Sequence, residues 1–277
     1  MAQIRFGFFK SSLALLPKLA LLTVFFTAIQ TPQVILAAGI PQRWEAQQYQ
    51  PPINIGAPGR VQGGGTRGPD SSCPIPGKPL KALIPSNRFG ATVAAHPSFF
   101  VYMPALWPQT SARVEFVLED MEGNYIYKSA FKTSGTPGIV TINLPNQGGL
   151  SPLQVGKDYK WSYSIICQPD ELLRERSRDI VVEGWVRRVE LNSTLKTQLM
   201  QASPQRQAEL YAEAEIWHDA LATLVQLRRN NPNDPVVAAE WAKLLSAAGL
   251  DELTKEALVP IPTATRRLLS PSSRQGF

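Results

Sequence analysis

Histidine is the residue that most often acts as a general base in enzymes, and this 277-residue chain has two, His96 and His218. His96 precedes Pro97 at the start of a predicted strand. His218 follows Trp217 in a helical segment, where the pattern predicts a solvent-facing side chain. A Ser–His–Asp hydrolase would have to be built around one of them, and no Gly-x-Ser-x-Gly nucleophile turn accompanies either. We therefore expect no catalytic residues and no enzymatic activity.

Metal-binding and phosphate-binding motifs are incomplete. The segment AspMetGluGlyAsn at 120–124 alternates as calcium ligands do, but its glycine comes at position 4 instead of 6, and Phe131 would stand at position 12. A hairpin turn is the better interpretation of this segment. The sequence GlyGlyGlyThrArgGly at 63–68 lacks the Lys-Ser/Thr of a P-loop and is followed by Pro69. We expect neither a metal nor a cofactor.

Acidic and aromatic side chains leave two glycan-directed alternatives open. A glycosidase needs two carboxylates across a cleft, but the acidic residues in the predicted strands alternate with apolar ones, as on a solvated face. Trp107, in the loop ProAlaLeuTrpPro, is a candidate for an exposed contact such as stacking on a sugar. Trp161 lies among apolar residues and is predicted to be core. The acidic set is Glu115, Glu119, Asp120 and Glu183.

Cys73 and Cys167 are the only cysteines of the chain, and no CxxC motif suggests zinc. Their number is even, and the export signal described below leads to an oxidising compartment. We expect them to form a disulfide. A bridge across about 95 residues would stabilise the fold by roughly 4–5 kcal/mol. Two separate buried thiols are the alternative.

The charge balance restricts the class of partner. Charged residues make up 18% of the chain and hydrophobic residues 44%, as in folded globular proteins. The net charge of +6 lies at the ends, because residues 1–38 and 259–277 each carry three basic and no acidic residues. The central part is neutral on balance and presents no broad basic face. We expect no nucleic-acid partner.

The N-terminus, residues 1–38, has the pattern of a secretory signal peptide. Arg5 and Lys10 supply positive charge, and the apolar run at 19–29 is too short to span a bilayer. Cleavage is expected near Ala37 or Ala38, leaving no stable membrane span, and a retained membrane anchor is the alternative. Two further segments are predicted to lack a core of their own: a Gly/Pro-rich linker at 39–79 and a disordered tail at 259–277.

Residues 80–192 contain short runs of β-like alternation between turn signals. About seven such strands at this spacing predict an antiparallel β-sandwich similar to immunoglobulin or fibronectin domains. The segment 120–124 is expected to connect a hairpin. The predicted strands are Leu80–Ile84, Phe99–Met103, Arg113–Glu119, Tyr125–Phe131, Gly138–Leu144, Asp158–Cys167 and Asp179–Leu191.

Residues 193–258 change to a helical period. Ser203 before Pro204 and Asp234 before Pro235 predict two helix starts, and Gly249 predicts a helix end. Six residues fall at the spacing of the tetratricopeptide signature, and part of a second repeat follows 34 positions later. One and a half repeats cannot bury their apolar face alone, so we expect these helices to pack on the strands or on a partner. The signature residues are Ala208, Tyr211, Trp217, Ala220, Leu224 and Pro232, followed by Ala242, Leu245 and Gly249.

A set of short motifs follows a fixed order from about residue 60 to residue 258. They are GlyGlyGlyThrArgGly (63–68), Cys73, LeuLysAlaLeuIlePro (80–85), ProSerPhePheValTyrMetPro (97–104), GluPheValLeuGluAsp (115–120), GlyIleVal (138–140), TyrLysTrp (159–161), Cys167 and GlyTrpValArg (184–187). This order resembles the exported cyanobacterial family catalogued as domain of unknown function 928. The resemblance implies export in a cyanobacterium and this domain order, and it implies no activity.

Together these patterns predict a non-enzymatic exported protein of the cell envelope that binds another exported or envelope protein. The expected contacts are Trp107 and the helical face of Tyr211 and Trp217, which also carries acidic residues. A carbohydrate-binding module using the Trp107 loop is the first alternative, and an envelope-polymer hydrolase is the second. The compartment is periplasmic or extracellular, with the thylakoid lumen as a further alternative. The acidic residues of the helical face are Glu209, Glu213 and Glu215.

Overall fold

The computed structural model describes residues 39–41, 75, 77–106, 113–133, 135–147, 149–166 and 179–259. The predicted signal peptide, most of the predicted linker and residues 260–277 of the predicted tail lie outside these ranges. Within them, the chain forms eight strands, in two sheets, and then four α-helices. None of the helices in these ranges is long and apolar enough to cross a membrane.

The strands follow the alternation of apolar residues closely. All seven predicted strands are present, and the run at 113–119 has the same bounds as in the sequence prediction. One further strand, Phe89–Thr92, was missed because FGAT is short and shows no clean alternation. The strands are β1 Lys81–Ala82, β2 Phe89–Thr92, β3 Ser98–Met103, β4 Arg113–Glu119, β5 Tyr125–Lys132, β6 Gly138–Asn143, β7 Asp158–Ile166 and β8 Ile180–Arg188.

The two sheets have the strand orders β1-β3-β6 and β2-β8-β7-β4-β5. Every strand pair is antiparallel except β2 with β8, which runs parallel from Phe89 opposite Trp185 to Thr92 opposite Arg188. The expectation of a wholly antiparallel architecture is therefore wrong at this edge. β2 and β8 are far apart in sequence, so no hairpin constrains their relative direction.

Aromatic side chains from both sheets pack together. The ring centroid of Phe99 in β3 lies 5.0 Å from that of Phe116 in β4 and 5.4 Å from that of Trp161 in β7. Trp161 lies opposite Gly184 across the β7–β8 pair, and a Cβ at Gly184 would come within 2.8 Å of the Trp161 ring. The glycine therefore makes room for the indole at the centre of the core.

Two of the helices, α2 and α4, begin at the residues expected from the sequence. Ser203 and Asp234 accept hydrogen bonds from backbone N–H groups at the starts of α2 and α4, each of which has proline in its first turn. Glu215, where tetratricopeptide repeats favour a small residue, has a φ of 59° in the tight turn between α2 and α3. The first helix, α1, was not predicted. The helices are α1 Ser193–Gln201, α2 Pro204–Glu213, α3 Trp217–Asn230 and α4 Pro235–Ala247.

Strands and helices share one hydrophobic core. α3 lies against β2 and β3, and buried residues of α2, α3 and α4 belong to the same apolar cluster as those of both sheets. After α4 the chain returns to the three-stranded sheet, where Ile139 donates to the carbonyl of Ala257 and accepts from the N–H of Val259. The helical segment thus packs on the strands, which is one of the two outcomes expected from its one and a half repeats.

Candidate interaction surface

Trp217 does not form part of an exposed contact face. Its side chain is fully buried, and its indole N–H donates a 3.0 Å hydrogen bond to the carbonyl of Leu83, next to β1. The expectation that Trp217 contacts a partner is therefore wrong. The reason is tertiary, because the side of α3 that carries Trp217 is the side that covers the sheets.

His218 is also buried, contrary to the expectation that it faces solvent, with 2% of its surface exposed. Its Nδ1 lies 3.1 Å from the carbonyl oxygen of Ser98, so Nδ1 carries the proton and donates it. Among the residues that the structure describes, Nε2 has no hydrogen-bond partner, and it lies against Gly90, where a Cβ would come within 2.6 Å of it. Burial lowers the pKa of His218 to about 4.

Asp219 is the third of three consecutive residues, after Trp217 and His218, whose side chains hydrogen-bond α3 to the β-strand region. Its carboxylate accepts hydrogen bonds from the hydroxyl of Thr92 at 2.7 Å and from the N–H of Val93 at 3.1 Å. Burial raises the pKa of Asp219 to about 6, although both donors favour the charged form. The hydrogen bonds of His218 and Asp219 go to the chain itself, and the His218 ring is buried. This junction is an anchor for α3.

The remaining residues of the expected helical face are engaged within the chain. Tyr211 is half-buried and packs both against the main core and against a smaller apolar cluster of Leu195, Leu199, Leu210 and Ile216. Burial raises the pKa of its hydroxyl. Glu209 and Glu213 both form ion pairs with Arg206, at 2.6 and 2.7 Å. The charged side chains on this face of α2 thus form ion pairs with one another. The other expected site residues, Trp107, Cys73 and Cys167, lie outside the described residues.

The residues weighed for catalysis are distributed over the fold and do not converge. His96 Nε2 lies 3.0 Å from the carbonyl oxygen of Leu150. Glu115 and Glu183 form ion pairs with lysines of neighbouring strands, Lys128 at 3.0 Å and Lys160 at 2.6 Å. In the described ranges, no group of three or more His, Cys, Asp or Glu residues is placed to hold a metal ion.

The sheet edges differ in how they are covered. At the β2 edge, α3 is bound through Asp219. At the β6 edge, residues 257–259 are hydrogen-bonded to Ile139, and the β1 edge is only two residues long. The fourth edge is β5, with eight residues. On its side away from β4, no backbone hydrogen bond joins β5 to another segment within the described part of the chain.

Some side chains around the β5 edge are apolar and exposed, whereas others are buried and hold the strand in place. Tyr125 is 62% exposed and Met121, in the preceding turn, is 40% exposed. Lys128 is drawn over the outer face of the sheet, where its Nζ lies 5.5 Å from the centroid of the Tyr125 ring. Phe131 is buried, with its ring centroid 6.1 Å from that of Tyr163. The core thus holds the strand in place, while no segment among the described residues pairs with its outer edge, a feature that sequence alternation does not reveal.

A family model described as a domain of unknown function, DUF928, matches residues 62–258. That range contains all the strands and helices described above. No curated protein matches the chain.

Proposed function

The chain belongs to the DUF928 family, whose description assigns no activity, and we propose that it is a non-enzymatic exported protein that binds another exported or envelope protein through the free edge of β5. The observation that carries this proposal is the contrast among the four edges. Three are covered or very short, whereas the eight-residue edge of β5 has exposed Tyr125 beside it. Proteins usually protect such an edge, so a long open one is suited to strand addition.

Strand addition would supply both affinity and selectivity. The main-chain N–H and C=O groups of β5 can pair with an extended partner strand, while side chains on alternating faces select its sequence. Because Phe131 and Ser129 are buried, β5 is ordered before a partner arrives. Binding therefore does not have to order this strand, which lowers its entropic cost.

The exposed apolar residues favour a protein ligand over a glycan. Carbohydrate sites stack sugars on exposed aromatic rings, and Tyr125 is the one aromatic among the exposed large hydrophobic residues of the described ranges. Phe89 and Trp185 are neighbours across the β2–β8 pair, but they are only 7% and 6% exposed. This cross-strand pair of aromatic side chains is thus not accessible to a sugar ring.

Export rests on the N-terminal signal pattern, and we place the mature protein in the periplasm or outside the cell. The immunoglobulin-like arrangement of the sheets and the tetratricopeptide-like character of α2–α4 belong to the same proposal. They are supported by the packing of Phe99 on Phe116 and by the capped helix starts at Ser203 and Asp234. Mass spectrometry of the mature protein from its host should find an N-terminus close to Ala37 or Ala38, and an intact residue 1 would contradict export by this route.

The binding surface can be tested by making the β5 edge more basic. In the double variant Tyr125→Lys/Ala130→Lys, both side chains adjoin the edge and would add positive charge to that of Lys128 and Lys132 beside an added strand. We expect recovery of the cross-linked partner from the host envelope to fall by at least roughly fivefold, which corresponds to about 1 kcal/mol. Met200→Lys is the matched control, because Met200 is 78% exposed on α1, away from β5. Equal recovery with the β5 variant and the control would refute the proposal.

A further inference from the structure

We propose that the occupant of the β5 edge is β5 of a second copy of this chain, paired antiparallel across a two-fold axis centred on Ser129. This inference rests on the proposed use of the β5 edge and names its partner. It would join the five-stranded sheets of two copies into one continuous sheet of ten strands. Two-fold pairing of identical edges closes on itself and leaves no further edge to extend.

The faces of β5 limit the possible registers. Residues directly opposite each other in an antiparallel pair lie on the same face of the sheet. In β5, Tyr127, Ser129 and Phe131 lie opposite inward-facing residues of β4, whereas Lys128 and Ala130 lie opposite outward-facing ones. A two-fold pairing that keeps inner residues opposite inner residues must therefore be centred on a residue.

The charges of β5 then select among the residues on which the two-fold axis could be centred. A centre at Lys128 would place two copies of this lysine directly opposite each other. A centre at Ala130 would place Lys128 opposite Lys132. A centre at Ser129 places Lys128 opposite Ala130, with no like charges facing across the strand pair. Centres nearer the ends shorten the paired segment or meet the irregularity at Leu118/Glu119, where the β4–β5 register shifts.

The Ser129 centre also gives favourable neighbours. It places Tyr127 of each copy opposite Phe131 of the other, and aromatic cross-strand pairs are among the stabilising ones. The same centre places Lys132 of one copy opposite Ile126 of the other, one position along from the exposed Tyr125, whose ring is within reach of a cation–π contact.

The register makes a cross-linking test specific to one residue. Two Ser129→Cys side chains would face each other across the axis, with Cβ atoms at the roughly 5 Å spacing of opposite residues. Two Ala130→Cys side chains would each face Lys128 instead. We expect Ser129→Cys to form a covalent dimer under mild oxidation at least ten times faster than Ala130→Cys, its more exposed neighbour and matched control. Equal cross-linking of the two variants would overturn the proposed register.

Analytical ultracentrifugation of the mature chain gives an independent measurement. We expect a dimer for the unmodified chain and for Met200→Lys, and a monomer for Ala130→Lys, which would place two lysines opposite each other on both sides of the axis. Circular dichroism checks that each variant is folded. A monomer at all micromolar concentrations would overturn self-pairing. If that monomer still captures a different protein and loses it in Tyr125→Lys/Ala130→Lys, the proposed function stands and only the second copy is refuted.

Discussion

Replacing His218 should give the chain a pH-dependent stability that the unmodified protein hides. His218 is buried and the adjacent Asp219 is partly buried at the start of α3, and their pKa values are shifted in opposite directions. We consider His218→Phe, which keeps a ring beside Phe99 and removes the titrating group. Asp219→Asn is the complementary variant, and it retains an oxygen that can accept from Thr92.

The magnitudes follow from the two shifts. Folding lowers the pKa of His218 from 6.5 to about 4. The contribution of His218 to the free energy of unfolding is therefore fully present above pH 6.5 and is lost as the pH falls through about 4. The pKa of Asp219 rises from 3.8 to about 6, so its contribution is present below pH 3.8 and is lost as the pH rises through about 6. Each contribution amounts to about 3 kcal/mol, and between pH 4 and 6 the two slopes oppose each other.

Urea unfolding at a series of pH values measures these slopes as differences from the unmodified chain, so that other carboxylates cancel. As the pH rises from 4 to 6, the free energy of unfolding of His218→Phe should fall by about 3 kcal/mol relative to the unmodified chain. That of Asp219→Asn should rise by a similar amount over the same range. The double variant should again follow the unmodified chain. Slopes of the same sign in both single variants would refute the assignment of opposite shifts.

Three other predictions concern the core, the helical segment and the two cysteines. Gly90→Ala should lower the free energy of unfolding by about 1–3 kcal/mol, because the added Cβ would meet the His218 ring, and the loss should largely vanish in a His218→Ala background; equal losses in both backgrounds would contradict this. A fragment of residues 193–258 should show no cooperative thermal transition, since its apolar faces are completed by the strands; a sharp calorimetric transition would be the opposite result. A thiol count on unreduced, unfolded mature protein from its host should find none at Cys73 and Cys167, whereas two reactive thiols per chain would exclude the bridge.

Local patterns were sufficient to predict most of the elements. Alternation in Arg113–Glu119 and Asp158–Ile166 gave strands because one face of each is buried and the other meets solvent. Ser203 and Asp234 gave helix starts because their side chains accept from N–H groups only two or three residues away. The hairpin at 120–124 was equally local, since Asp120 accepts from the N–H groups of Glu122 and Asn124. Such interactions depend on neighbours in sequence, and sequence therefore determines them.

Contacts between segments that are distant in sequence decided which residues are buried and which lie on the surface. Trp217 and His218 could be placed on a helix from sequence, but burial followed from the docking of α3 beside Leu83 and Ser98, more than a hundred positions earlier. The parallel pairing of β2 with β8 and the position of β5 at an open edge are likewise properties of strand order. A strand carries the same alternation at an edge as in the middle of a sheet, because alternation reports which face is buried and not which neighbour is paired. For that reason sequence determined most of the strands and the starts of α2 and α4, while only the tertiary structure decided which surface is left to bind.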